Sequence, residues 1–248
     1  MKPKSLLLVF GLALILLSEP SMADSYEDGH AAYGRGDYAT AFQIWKNLAN
    51  QGSQSAQYGL GELYSSGHGV SRDDVEAAKW NRMAAESGYV PAQSRLGAMY
   101  DEGRGITQNL SKAMKWYRKA AEQGDLSAQV SLGLIYGTGR GVPQNYFQAV
   151  KWFRLAAEQG DALAQYNLGL IYASGYDVVP KDDVQALVWF ILAESGGNLD
   201  ARKSHEAVAT RMTPERVEKA EKFAQDWMNT KAQDKAAKCA MSGATECK

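Results

Sequence analysis

The apolar positions of this chain recur in two helical registers that alternate along its length. In AQYGLGELY, Ala56, Leu60, Leu63 and Tyr64 fall at i, i+4, i+7 and i+8, which makes one stripe along a helix. A second stripe follows in VEAAKWNRMAAE, where Ala77, Trp80 and Ala84 share a face. The segment between them, GHGVSRD, is polar and rich in glycine, which favours a turn over continued helix. The spacing predicts two antiparallel helices joined by a tight connection.

The pair then recurs. AQSRLGAMYDEGRGI, AQVSLGLIYGTGRGV and AQYNLGLIYASGYDV begin at Ala92, Ala128 and Ala164, each 36 residues after the last. Trp80, Trp116 and Trp152 keep this period in the second halves, and Trp189 falls one residue late. Asp73, Asn109, Asn145 and Asp182 stand seven residues before the tryptophans, where an N-cap side chain accepts from free backbone N–H groups. Gly88, Gly124, Gly160 and Gly197 stand eight residues after them, as C-terminal cap glycines do. Pro91 suits a first helical turn. Gly61, Gly97, Gly133 and Gly169 lie inside the first helices, so each predicts a close approach by a neighbouring helix.

Self-similarity at this length predicts an all-α solenoid of antiparallel helix pairs that share one continuous core. Four full units span 55–90, 91–126, 127–162 and 163–200. Residues 24–54 read as a shortened first repeat around Trp45. Residues 201–228 read as a closing cap, with Val217, Ala220, Phe223, Ala224 and Trp227 on one face of a helix begun at Thr213-Pro214. From 229 to 248 the chain is polar and small-residue rich, and a loose tail is expected there.

The residues that carry this pattern, A-x-x-x-L-G-x-x-Y-x-x-G-x-G-V with A-x-x-W and A-A-E-x-G after it, resemble the SEL-one-like repeat, a relative of the tetratricopeptide repeat. The resemblance implies a right-handed superhelix and an adaptor role, often in bacterial envelopes or in host–microbe contact. Two departures stand out. The fourth unit has Tyr176-Asp177 in place of a third glycine, so its turn must take another shape. Some secreted members pair cysteines within each repeat and are linked to penicillin binding or hydrolysis, and these repeats contain none.

The first residues change the picture of location. Lys2 and Lys4 precede an apolar run from Leu6 to Leu17, and Ser21 and Ala23 are the small residues a signal peptidase reads. The run is short of the roughly 20 residues that span a bilayer. Residues 1–23 are therefore expected to be a cleaved signal peptide, with the mature protein periplasmic or secreted and carrying no transmembrane segment. Cys239 and Cys247 would then meet oxidising conditions, and a disulfide between them is expected. Without Lys2, Lys4 and Glu19, the 27 basic and 28 acidic side chains become 25 and 27. Such a near-neutral chain argues against nucleic acid as the main partner.

Catalytic patterns are sparse. There is no S-x-x-K, no G-x-S-x-G and no complete phosphate loop. His30, His68 and His205 are far apart, and His205-Glu206 lacks its second zinc ligand because Ala209 stands there. His68 reads as a solvated turn residue and His205 as a surface residue of the cap. Glu86, Glu122 and Glu158 recur with the unit and are expected to make local bonds at helix ends. The tryptophans, in fixed register with the alanines, are expected in the core.

No cofactor or metal is implied, and the expected role is a protein-binding scaffold. An envelope hydrolase acting on a β-lactam or wall fragment, and an assembly factor for polysaccharide or secretion machinery, are the alternatives. Positions two and six residues after each opening alanine lie opposite the apolar stripe. They read Tyr58 and Glu62, Ser94 and Ala98, Val130 and Leu134, Tyr166 and Leu170. Two readings stay open: packing between successive first helices, or a partner groove on the inner face that includes Tyr58, Glu62, Val130, Leu134, Tyr166 and Leu170.

Overall fold

Glycine caps and aspartate or asparagine N-caps cut the four full repeats into helices of 12 or 13 residues. A computed structural model describes residues 25–242 apart from Asp177, so the signal segment and Cys247 lie outside the described residues. The first pair is α1 (Tyr26–Gly34) and α2 (Tyr38–Asn50). It is followed by α3 (Gln54–Ser66) with α4 (Asp74–Glu86), and by α5 (Val90–Glu102) with α6 (Leu110–Ala121). Next come α7 (Leu126–Thr138) with α8 (Tyr146–Glu158), and α9 (Ala162–Ser174) with α10 (Asp183–Ser195). The closing helices are α11 (Leu199–Ala209) and α12 (Pro214–Ser242). From α1 to α11 each helix packs on the next in sequence, and α12 packs on α10.

The punctuation acts as the sequence predicts. Asp73, Asn109, Asn145 and Asp182 each accept from backbone N–H groups at the start of a second helix. Within the turns Gly67 and Gly69 take φ 76° and 71°, a region that side-chain-bearing residues avoid. The fourth turn departs from the others. There Tyr176 and Val179 exchange backbone hydrogen bonds of 2.7 Å, and Tyr176 stacks on Tyr146 with centroids 3.5 Å apart. The hydrogen bond with Tyr176, with burial adding to it, pushes the Tyr146 phenol up to about 12.

The helix-interior glycines seat side chains of the paired second helix. A Cβ at Gly97 would lie 2.7 Å from the Tyr117 ring, and one at Gly133 would lie 2.6 Å from Phe153. Phe190 sits on Gly169 in the same way, and the Asn81 amide takes this place at Gly61. In each unit the residue that fills the glycine gap follows the tryptophan directly. The tryptophans pack outward onto the preceding unit: Trp80 joins the core of the first pair, and Trp152 joins that of α5 and α6.

Two expectations need correction. Trp116 is half-buried, unlike Trp45, Trp80, Trp152 and Trp189; Tyr117 fills the interior, and the Lys119 ammonium lies 4.5 Å from the Trp116 ring. The loose tail is helical as far as Ser242. Its Lys, Ala and Gln residues are good helix formers, and extending an established helix is far cheaper than nucleating one.

This packing makes the tryptophans unequal. Trp152→Ala should cost about 3–5 kcal/mol, as large aromatic truncations in cores do. Trp116→Ala should cost no more than about 2 kcal/mol, because less of its surface is removed from water. Urea titrations of the two variants check this, and equal losses would contradict it.

Candidate functional site

From α5 to α10 the first helices lie closer to one another than the second helices do: α5 meets α7 and α7 meets α9. The stack therefore bends with its first helices on the inside. On that side the six residues marked from sequence separate into two groups.

Residues two positions after the opening alanine are half-buried. Tyr58 is half-buried with its ring 5.6 Å from Tyr89, the N-cap of α5, and burial pushes its phenol up to about 12. Val130 and Tyr166 are half-buried against the core, with the Tyr166 ring 5.8 Å from Phe190. Ser94, at the same position of its unit, donates a 2.8 Å hydrogen bond to Asp125, the N-cap of the next first helix. Tyr58 and Ser94 thus contact the start of the next first helix, whereas Tyr166 packs on the second helix of its own unit.

Residues six positions after the alanine face outward. Leu134 and Leu170 are 37% and 38% exposed on neighbouring helices, and Leu163 on α9 is 44% exposed. Glu62, at the same place in its own unit, pairs with Arg95 at 3.1 Å, and Arg95 also donates to the Ser65 hydroxyl. The open face is thus charged near α3 and α5 and apolar near α7 and α9.

One recurring feature escapes a pattern reading. Gln57, Gln93, Gln129 and Gln165 follow the opening alanines and are buried. Each donates through Nε2 to one of the last carbonyls of the preceding second helix, at Ala49, Ala85, Ala121 and Ala157. Those carbonyls belong to the group a helix leaves without internal partners. The glutamine acceptors are filled only where the next unit supplies a donor: Gln123 donates to Gln93 at 2.8 Å and Gln159 to Gln129 at 2.9 Å. Ser87 and Gly196 stand at the matching positions, and the Oε1 atoms of Gln57 and Gln165 find no partner among the described residues. The signal was the invariant A-Q dipeptide, but its partner lies in the next unit. A second ladder runs outside, where Arg82, Arg118 and Arg154 donate to the hydroxyls of Tyr100, Tyr136 and Tyr172.

The histidines and glutamates differ from their expected roles. His68 is not a solvated turn residue: its ring stacks on Tyr38 at 4.3 Å, with Nδ1 3.1 Å from the Tyr33 hydroxyl. His205 is half-buried between α10 and α11, with Nδ1 3.1 Å from Glu194. Glu86, Glu122 and Glu158 are exposed and make no side-chain hydrogen bond or ion pair among the described residues, so they do not hold the helix ends. No group of three or more His, Cys, Asp or Glu among the described residues could hold a metal ion.

The Sel1 repeat model matches residues 13–53, 54–89, 90–125, 126–161 and 162–198. The chain belongs to the Sel1 repeat family. The family frame starts each full unit one residue earlier than the sequence reading, and its first unit reaches back to residue 13. A Sel1 repeat protein from Oxalobacter formigenes is 31% identical with a TM-score of 0.69, over 82% of this chain and 84% of that one. The c5321 protein, a protective antigen of uropathogenic Escherichia coli with an SLR fold, is 32% identical with a TM-score of 0.70. That match covers 86% of this chain but only 46% of the antigen, so the chain spans about half its length. No curated protein matches the chain.

The glutamine ladder carries a test. Ser87→Gln should supply the missing donor to Gln57 and add about 1 kcal/mol, the net value of a typical hydrogen bond. Chemical denaturation would show this as a higher midpoint with an unchanged slope. An unchanged or lower midpoint would mean the Gln57 acceptor is already satisfied.

Proposed function

We propose that this Sel1 repeat protein is a non-catalytic scaffold, exported to the periplasm or beyond, that holds a protein partner on its first-helix face. The observation that carries the reading is the exposed leucine strip of Leu134, Leu163 and Leu170 on α7 and α9. Residues that recur in every unit are consumed by the stack, as the glycine seats and glutamine ladder are. Leucine at the place of Leu134 and Leu170 is confined to two units: Glu62 and Ala98 occupy it in the earlier ones. An apolar centre next to the polar Asn167 and Ser131 matches the core and rim of protein-binding surfaces. The basic start and short apolar run of residues 1–23 support export.

Leu134→Lys combined with Leu170→Lys should reduce recovery of a crosslinked partner, identified by mass spectrometry, by at least about tenfold. The melting temperature should stay within a few degrees, because both side chains already face solvent. Loss of folding, or full recovery of the partner by a folded variant, would contradict the placement. Intact mass of the mature chain should correspond to a start at Asp24, and retention of residues 1–23 would contradict export by cleavage.

A further inference from the structure

The outer side of the stack carries a charge pattern that the repeat itself does not require. Lys115 and Arg118 on α6 have counterparts in Lys79 and Arg82 on α4 and in Lys151 and Arg154 on α8. Lys112 and Lys119 have none: α4 places Glu76 and Met83 there, and α8 places Gln148 and Leu155. On α4 the recurrent lysine is neutralised, with Lys79 Nζ 3.2 Å from Glu76. On α6 the same exchange of partner leaves Lys112, Lys115 and Lys119 at i, i+3 and i+7 with no ion pair among the described residues. Like charges at this spacing destabilise a helix, so the stack gains nothing from them.

These cations line a groove of about 690 Å³ between α6 and the turn that follows α7. Its floor is apolar, built from Leu110, Met114 and Val142, and Glu122 is the one acidic residue of its lining. Lys112 and Lys119 are held in place by aromatic faces, at 5.4 Å from Tyr100 and 4.5 Å from Trp116. Arg118 is tied to the Tyr136 hydroxyl at 2.9 Å, which leaves the three lysines as the free rim.

We propose that this groove is a second docking site, and that its occupant is an acidic amphipathic helix from a protein partner. The lysines span about 10 Å along α6 at a rise of about 1.5 Å per residue. Carboxylates at i, i+3 and i+7 on an opposing helix would match them, and apolar residues between those carboxylates would cover the floor. An anionic polysaccharide could satisfy the lysines but has no apolar side chain for Leu110, Met114 and Val142. The site lies on the second-helix side, away from the leucine strip, and does not depend on it.

The test uses the full mature chain and a fluorescein-labelled 16-residue peptide with glutamates at i, i+3 and i+7 flanking leucines, followed by anisotropy. Binding should be saturable and should weaken as salt screens the rim. Lys112→Glu with Lys119→Met transplants the residues of α4, which the repeat already accommodates. This double variant should lose at least about tenfold in affinity while its melting temperature holds or rises. Lys119→Gln alone, the smaller change, should lose affinity to a lesser degree and keeps the test open if the double variant misfolds. Equal binding of a peptide with glutamine for glutamate would overturn the proposal. So would unchanged affinity in both variants, or binding of dextran sulfate without binding of the peptide.

Discussion

The apolar stripe on each first helix is sealed partly by its own second helix and partly by the second helix of the unit before. The core around Ala92, Leu96 and Tyr117 shows this, because it also contains Ala84 and Ala85 from α4 and Trp152 from α8. No pair encloses a core alone, which is the condition that makes the molecule a stack. The ends follow from the same constraint. At the start α1 is only nine residues long, and Tyr26 and Tyr33 stack on Trp45. At the other end Ala201, Val208, Ala220 and Ala224 close the core of α9 and α10.

Shared burial also separates the residues that build from the residues free to act. Alanines, leucines, glycine seats and buried glutamines recur because every interface needs them. Leu134 and Leu170 on the inner side, and Lys112 and Lys119 on the outer side, are departures from the repeat at exposed positions. A solenoid can vary such positions without disturbing its interfaces, so partner recognition is written in the differences between units.

Much of the fold was legible because its signals are local. A capping aspartate and the helix it starts are adjacent in sequence, as are a turn glycine and its turn, and the period repeats them until chance is excluded. What was not legible depends on neighbours far along the chain. The A-Q dipeptide was visible, but its role needs the alanine carbonyl eight residues earlier and a donor thirty residues later. His68 looked like a turn residue because its register matches arginines elsewhere, whereas Tyr33 and Tyr38 of the first pair create a stacking place for it. The inner-face register was read as one surface, yet a 100° step cannot tell a seam from an open face. Tyr58 falls in the seam and Tyr166 against its own second helix, with Leu134 and Leu170 in the open. The tail was misread because polarity was taken for disorder, although its residues favour helix once α12 exists.

If each unit is held chiefly by its neighbours, the stack should tolerate loss of a whole unit and not of half of one. Removing residues 91–126 takes out α5 and α6 together and leaves α4 facing α7 through equivalent positions. Removing residues 91–108 takes out α5 alone and leaves α6 without its partner. Thermal unfolding followed by circular dichroism separates the two cases. The account predicts a cooperative transition for the first deletion, at a lower temperature than the parent, and none for the second. A whole-unit deletion without a cooperative transition would contradict it.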